Sequence, residues 1–301
     1  MKSNLLVVIV TYNAMQWAER CFSSLKNSSL RPDVYVVDNG STDDTQSYIQ
    51  EHYPEVMFHQ SAENLGFGKA NNMGLQYALD YNYDYVYLLN QDAWVMKDTF
   101  EKLVSLSKQH PDYGILSPFQ MNADMIHIDS AFISSTCSYS SNIDIFSDIY
   151  SGRVRDVYSV SAVMAAHWLI TRDCLITVGG FSPSYKHYGE DYDFIERVHF
   201  YKIKVGVIPQ LKVVHDRGKR VDYRKTTLYL EYTTKIRILS NPNVNVCKSI
   251  ILVIISTFAD IMRYKSITPL LNLFKLSYRL FELLKNRRKG MNEKCAFLEN
   301  S

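Results

Sequence analysis

The sequence predicts an α/β fold, a mostly parallel sheet with helices on both faces. Three observations predict it. Leu5-Leu6-Val7-Val8-Ile9-Val10 is an unbroken apolar run, the pattern of a strand buried on both faces. Short runs of this kind then alternate with amphipathic stretches over the first hundred residues, and that rhythm gives parallel pairing. Finally, 301 residues, 47% apolar and 21% charged, supply a substantial core and exclude a disordered chain.

The elements follow in order. Residues 5–10 are the first strand. Residues 14–25 place Trp17, Cys21, Phe22 and Leu25 at helical spacing. Residues 34–37 form a second strand, after which Ser41-Thr42-Asp43-Asp44 resembles a capping box, with Ser41 as the expected cap. Residues 56–59 form a third strand, 69–81 a helix, 85–89 a fourth strand and 98–107 a helix that ends before Pro111. Residues 120–160, rich in Ser, Asp and Tyr, read as an inserted loop region or short antiparallel strands. Residues 163–171 return to the sheet, 190–201 read as a helix, and 205–208 and 212–214 as strands. From 223 onward the pattern is helical, over 228–239 and 246–284, with Pro242 and Pro269 as breaks. The expected division is an α/β domain over residues 1–222 and a helical C-terminal extension over 223–301.

Net charge is +2, which gives no sign of a nucleic-acid binder, but its distribution is uneven. Residues 1–215 hold 16 basic and 24 acidic side chains, net −8, and residues 216–301 hold 17 and 7, net +10. Five cysteines without a CxxC argue against a disulfide framework or a structural zinc site. The N-terminal apolar run is short and lacks a cleavage pattern, so a cytosolic protein is expected. The apolar stretch over 250–259 is well below the ~20 residues needed to span a bilayer.

In open α/β sheets, ligands bind beyond the carboxyl ends of the strands. Asp38 and Asp92 both stand there, and paired acids at one sheet edge could hold a base, a ribose or a metal. Either alone would read as a turn aspartate. Asn64-Leu65-Gly66-Phe67-Gly68-Lys69 runs into a helix start, where glycines allow close backbone approach and the helix terminus favours phosphate. There is no complete GxGxxG and no Walker loop, which counts against dinucleotide oxidoreductases and P-loop enzymes. Gly189-Glu190-Asp191-Tyr192-Asp193 opens a helix. Its four acids, Glu196 included, exceed what the helix dipole calls for, so one could be a general base. His215 ends a strand and precedes the basic loop Asp216-Arg217-Gly218-Lys219-Arg220, which suits a metal–diphosphate complex.

Taken together, Val8-Ile9-Val10-Thr11-Tyr12-Asn13, Val37-Asp38-Asn39-Gly40-Ser41-Thr42-Asp43, Asn64-Leu65-Gly66-Phe67-Gly68 and Asn90-Gln91-Asp92 resemble the family 2 glycosyltransferases. Gly179-Gly180-Phe181 and Tyr188-Gly189-Glu190-Asp191-Tyr192-Asp193 continue the match in order, which covers roughly residues 5–220 and fits best the bacterial rhamnosyltransferase-like branch. The resemblance implies a GT-A fold and inverting transfer of a hexose from a nucleotide-diphosphate sugar, UDP- or dTDP-linked, to a hydroxyl of a glycan or lipid-linked acceptor in surface polysaccharide synthesis. By matching position, Thr11, Tyr12 and Asn13 lie along the nucleotide, Asp38 binds base or ribose, and Asn64, Lys69 and Arg220 lie near the nucleotide or its phosphates. Asp92 is the last residue of a DxD motif that holds Mg²⁺ or Mn²⁺, His215 joins that metal, and Asp191 is the general base with Glu190 beside it. Asn90 replaces the first acid of DxD, and Ser182-Pro183 replace an Asp-Glu pair that often follows Gly-Gly-Phe.

The alternative reading is a non-catalytic nucleotide-sugar or glycan-binding protein on the same scaffold. The tail leaves two readings open. Leu270, Leu273, Phe274, Leu280, Phe281 and Leu284 form a helical stripe, edged by Lys275, Arg279, Lys285, Arg287, Arg288 and Lys289. Such a helix packs on the catalytic domain or on a second subunit of a homodimer, or it lies on an anionic membrane surface at the inner face of the cell membrane. The basic excess favours the membrane.

Overall fold

The computed structural model describes residues 4–136, 143–217 and 223–298. In chain order the elements begin β1 (Leu5–Thr11), α1 (Ala18–Lys26), β2 (Asp33–Asp38), α2 (Thr45–His52), β3 (Met57–Gln60), α3 (Phe67–Asp80) and β4 (Tyr85–Asn90). β5 (Ala93–Trp94), α4 (Thr99–Gln109), β6 (Tyr113–Met121), α5 (Ser130–Thr136), α6 (Ile143–Ser151), β7 (Tyr158–Ser159) and β8 (His167–Thr171) follow. The remainder is α7 (Arg172–Val178), α8 (Glu190–Phe200), β9 (Lys204–His215), α9 (Tyr223–Ser240), α10 (Val246–Tyr264) and α11 (Thr268–Asn292).

The strands form one sheet in the order β3-β2-β1-β4-β8-β6-β9-β5, with β7 on β9. β3, β2, β1 and β4 are parallel; β8 is antiparallel to both β4 and β6, and β6 and β9 pair in parallel. The alternation along β1 explains the two-sided cover. Leu5, Val7 and Ile9 pack with Cys21, Phe22, Phe100 and Leu103 of α1 and α4. Leu6 and Val8 pack with Leu75 and Ala78 of α3 on the other face.

Several expectations are corrected. β6, all nine of whose residues are buried, lies where no strand was expected. Burial on both faces removes the alternation that marks a strand. The region over 120–160 holds helices α5 and α6 as well as strand residues. The strands expected at 205–208 and 212–214 are one, β9, with a register shift across Pro209 to Leu211. α2 starts at Thr45 with Asp44 at its N-cap and no side-chain cap, so the Ser41 capping box does not form. Ser41 is engaged instead with Asp38.

Helices α9, α10 and α11 enclose a separate cluster of Ile236, Leu239, Val253, Leu276 and Leu283, joined by Tyr185. The chain then returns to the main core. Gly180 donates its amide to Ala296 O at 2.8 Å, and Leu298 is buried among core residues of the sheet's α3 face.

Candidate active site

The carboxyl ends of β1, β2 and β4 converge on one edge of the sheet. Thr11, the last residue of β1, is buried and donates to Asp38 Oδ1 at 2.8 Å. Asp38 also accepts from the Ser41 amide at 2.9 Å and the Ser41 hydroxyl at 2.5 Å. Asn13, at φ 49°, donates its amide to Ser41 Oγ and accepts from the Thr42 amide. Thr11, Asn13 and Asp38 therefore tie two loops together, with Asp38 fully buried beneath the surface of the cleft. Tyr12 is exposed, and its backbone is held by both ends of the Gln91 amide. Asn64 Oδ1 accepts the Gly66 amide, and Lys69 is exposed in the first turn of α3. Arg220 lies outside the described residues.

A cavity of about 810 Å³ opens above this edge, walled by Tyr12, Asn39, Asn64, Gln91, Asp92 and Lys186 among others. Gly66 lies on it with φ +79°, and a Cβ there would sit 2.5 Å from the Lys186 carbonyl oxygen. Only glycine accepts both the left-handed backbone and that approach. The close contact is thus with the 186–189 loop.

A second cavity, about 300 Å³, adjoins the first and shares Phe67, Asn90, His187 and Tyr188 with it. Glu190, Asp191, Arg217, His215 and, from α9, Thr233 and Arg237 also line it. Tyr188 at φ 64° and Gly189 at φ 99° turn the chain sharply just before α8, aiming that helix's N-terminal acids into the cavity. Glu190 is buried and its Oε2 is unpartnered; burial, then the Asp191 charge, pushes its carboxyl up to about 7. Asp191 is half-buried and accepts the Tyr192 amide at 2.9 Å. Burial raises its pKa, against the pull of backbone hydrogen bonds and Arg217. The other two acids of this helix serve elsewhere. Asp193 pairs with buried Arg197 at 3.0 Å, and Arg197 donates onward to Val178 O and Gly180 O. Glu196 lies 3.6 Å from Arg237.

Where the cavities meet, His215 Nε2 stands 3.4 Å from Asp92 Oδ1, and His215 Nδ1 stands 3.4 Å from Asp129 Oδ2 without hydrogen-bond geometry. Asp129 is fully buried and holds Arg217 at 2.6 Å. The Asp92 carbonyl accepts the Asp216 amide at 2.7 Å, which locks β9's end to the Asp92 loop. His167 supports the same strand end. Its Nε2–H donates to Val214 O at 2.9 Å and its Nδ1 accepts from the Tyr87 hydroxyl at 2.8 Å. Burial lowers the His167 pKa to about 3, so it stays neutral and structural. Among the described residues, no three His, Cys, Asp or Glu side chains form a metal-holding group. Asp92 and His215 offer one oxygen and one nitrogen, a donor pair that fits Mn²⁺ better than the oxygen-preferring Mg²⁺, with the remaining ligands to come from a diphosphate.

Sequence reasoning brought Asp92, His215, Glu190 and Asp191 to this cleft. It missed Asp129, His167, Tyr188 and Lys186. Asp129 sits in the stretch read as an insertion, and no local pattern sets it apart.

Residues 6–144 match the family model "Glycosyl transferase family 2". Over those residues the chain resembles glycosyl transferase family 2. The chain is 22% identical over 218 residues to a low-salt glycan biosynthesis hexosyltransferase of Haloferax volcanii, covering 72% of this chain and 68% of that one. It is 32% identical over 127 residues to the N-acetylglucosaminyl-diphospho-decaprenol L-rhamnosyltransferase of Mycobacterium tuberculosis, covering 39% and 41% of the two chains. Among solved structures, a mannosyltransferase of Pyrobaculum calidifontis in complex with GDP-Man and Mn²⁺ superposes with a TM-score of 0.62 at 16% identity, over 97% of this chain and 84% of that one. The chain has the GT-A fold.

Proposed function

We propose that this protein is a glycosyltransferase that moves a hexose with inversion from a UDP- or dTDP-sugar to a hydroxyl of a glycan or lipid-linked acceptor in polysaccharide synthesis. The observation that carries the proposal is the pair of adjoining cavities. The larger has Asp92 on its wall and the smaller has Glu190 and Asp191, so donor and acceptor would meet at the shared wall of Phe67, Asn90, His187 and Tyr188. The relatives named for hexosyl and rhamnosyl transfer agree with this reading.

In the proposed mechanism, Tyr12 and Asn64 line the path of the nucleotide, and the Thr11–Asp38–Ser41 network holds that path in shape. Lys69 and Arg220 supply positive charge toward the phosphates. Asp92 and His215 would hold a divalent ion, Mg²⁺ or Mn²⁺, which would supply positive charge against the negative charge of the departing diphosphate. Asp191 takes the proton of the attacking acceptor hydroxyl. Glu190 shares the buried site with it. Two carboxyls in one poorly solvated pocket resist double ionisation, and burial together with the Asp191 charge pushes Glu190 up to about 7. Single displacement needs one base and no carboxylate nucleophile, and it inverts the anomeric centre. Residues 1–222 act as the catalytic domain, and the 223–301 extension adds α9 side chains to the acceptor cavity.

The test is a panel of UDP- and dTDP-sugars with Mg²⁺ or Mn²⁺, scored for nucleoside diphosphate release with and without sugar acceptors. Acceptor-dependent release with one donor is expected. Tight nucleotide-sugar binding with no release from any donor would instead support the non-catalytic binder.

A further inference from the structure

Twelve of the 22 large apolar side chains that are exposed among the described residues fall within residues 251–281, on one helical hairpin. The hairpin is α10 and α11, packed together and joined by the short turn 265–267. On α10, Ser249, Val253, Thr257 and Asp260 face inward, while Ile251, Ile254, Ile255, Phe258 and Met262 face solvent at i, i+3, i+4, i+7 and i+11. On α11, Leu276 and Leu283 face inward with half-buried Leu273 and Leu280. Leu270, Leu271, Phe274, Tyr278 and Phe281 face out, Phe281 at 83% exposure. This corrects the stripe expected from the sequence, which mixed inward and outward positions. The expected basic cluster is corrected as well. Arg287 is buried against the carbonyls of Leu239 and Val244, and Arg279 is held by Glu282 and the Ser184 carbonyl.

What remains is mainly positive. Asp260 is the sole acid within residues 246–281, and it is buried and paired with Lys235. The exposed charges on this surface are Lys248, Arg263, Lys265 and Lys275. Glu282, exposed beside Phe281, is paired with Arg279. A broad exposed apolar surface marks a binding site, and one ringed mainly by cations suits an interfacial position among acidic headgroups. A symmetric pairing of two such faces would set cation against cation. Crossing is not at issue, since no helix of the described residues is long and apolar enough to span a membrane.

We propose that the α10–α11 hairpin docks this protein on the surface of an anionic lipid bilayer, with the outward apolar side chains in the headgroup–acyl boundary and Arg263, Lys265 and Lys275 on lipid phosphates. α9, which packs against both helices, also walls the smaller cavity through Leu230, Thr233 and Arg237. Docking therefore sets that cavity near the lipid surface, where a lipid-linked acceptor would arrive. That last consequence rests on the transfer reading; the docking itself does not.

The experiment is co-sedimentation of the full chain with vesicles of phosphatidylcholine alone or of equal parts phosphatidylcholine and phosphatidylglycerol, without substrates. Binding is expected to the mixed vesicles, to weaken as salt is raised and to be much weaker on phosphatidylcholine alone. Lys265→Gln and Lys275→Gln should each lower the partition coefficient about fivefold. The double variant Phe274→Ser, Phe281→Ser should lower it at least tenfold while circular dichroism, thermal midpoint and transfer to a water-soluble acceptor stay as in the parent. No binding to the mixed vesicles at low salt overturns the proposal. So does a dimer, seen by light scattering, that the double variant dissociates while the parent ignores lipid. Loss of transfer with docking intact would instead count against the catalytic reading alone.

Discussion

At the scale of single residues, the cleft divides its carboxylates by environment. Asp92 is near the cleft surface beside His215, whereas Asp38 is fully buried in hydrogen bonds and Asp193 in an ion pair. Asp92→Ala should therefore abolish transfer and the metal-dependent part of nucleotide binding and leave the fold intact, as read by thermal shift with nucleoside diphosphate with and without Mn²⁺. Retained metal-dependent stabilisation in this variant would remove Asp92 from that role. Asp191→Asn keeps shape but loses basicity, so turnover should fall by roughly 10²–10⁴ while donor affinity holds. Glu190→Gln tests the pairing of the two acids. A base works only when ionised, and the raised pKa values put the acidic limb of the kcat/KM profile above the ordinary carboxylate range. With Asp191 as the base, Glu190→Gln should keep the acidic limb and lose only the ionisation near 7; loss of turnover at every pH would make Glu190 the base. The same variant has a stability signature. With a folded-state pKa raised to about 7, Glu190 favours folding below its ordinary pKa, and that contribution is lost as pH rises toward 7. Glu190→Gln should thus raise the melting temperature above neutrality relative to the parent, and an unchanged melting profile would argue against the burial of this charge.

At the scale of elements, the site depends on how loops meet rather than on any one motif. The α3 N-terminus carries the glycine pattern that sequence reading linked to phosphate, yet Gly66 is required first by the Lys186 carbonyl. Gly66→Ala forces either a strained left-handed alanine or a displaced 186–189 loop, at a cost of about 1–3 kcal/mol. Because that loop walls both cavities, the donor KM should rise severalfold along with the loss of stability, measured by denaturant titration and initial rates. Equal stability and unchanged KM would mean the loop yields freely. Most helices were legible from their apolar spacing, and β1, β2 and β4 from their apolar runs. β6 and β8 show the limit. Their antiparallel pairing is a long-range contact, Leu116 opposite Leu169, and no local signal states which way a fully buried strand runs.

At the scale of the whole molecule, residues 295–298 belong to the first core. Ala296 packs on Gly179, and Leu298 is buried with residues of the α3 and α7 layer. Leu298→Ala should destabilise the protein by about 2–5 kcal/mol, the range for a large-to-small change in a packed core. Residues 1–222 expressed alone should melt lower than the full chain; equal midpoints would show that the return segment adds nothing.

The sequence by itself determined the α/β class, the elements around β1 to β4, and the acids and histidine that reach the cleft. Those features are written in short-range patterns, namely apolar runs, helical spacing and polar residues at strand ends, and the ordered motifs around them carried the family resemblance. Only the tertiary structure decided what each polar group faces. It separated Asp38 from the cleft surface, set Asp129 and His167 behind His215, paired Asp193 with Arg197, and turned a mixed stripe on α11 into an outward apolar face shared with α10. The reason is physical. Burial, ion pairing and pKa depend on neighbours that arrive from far along the chain, as when Asp129 meets Arg217 across 88 positions.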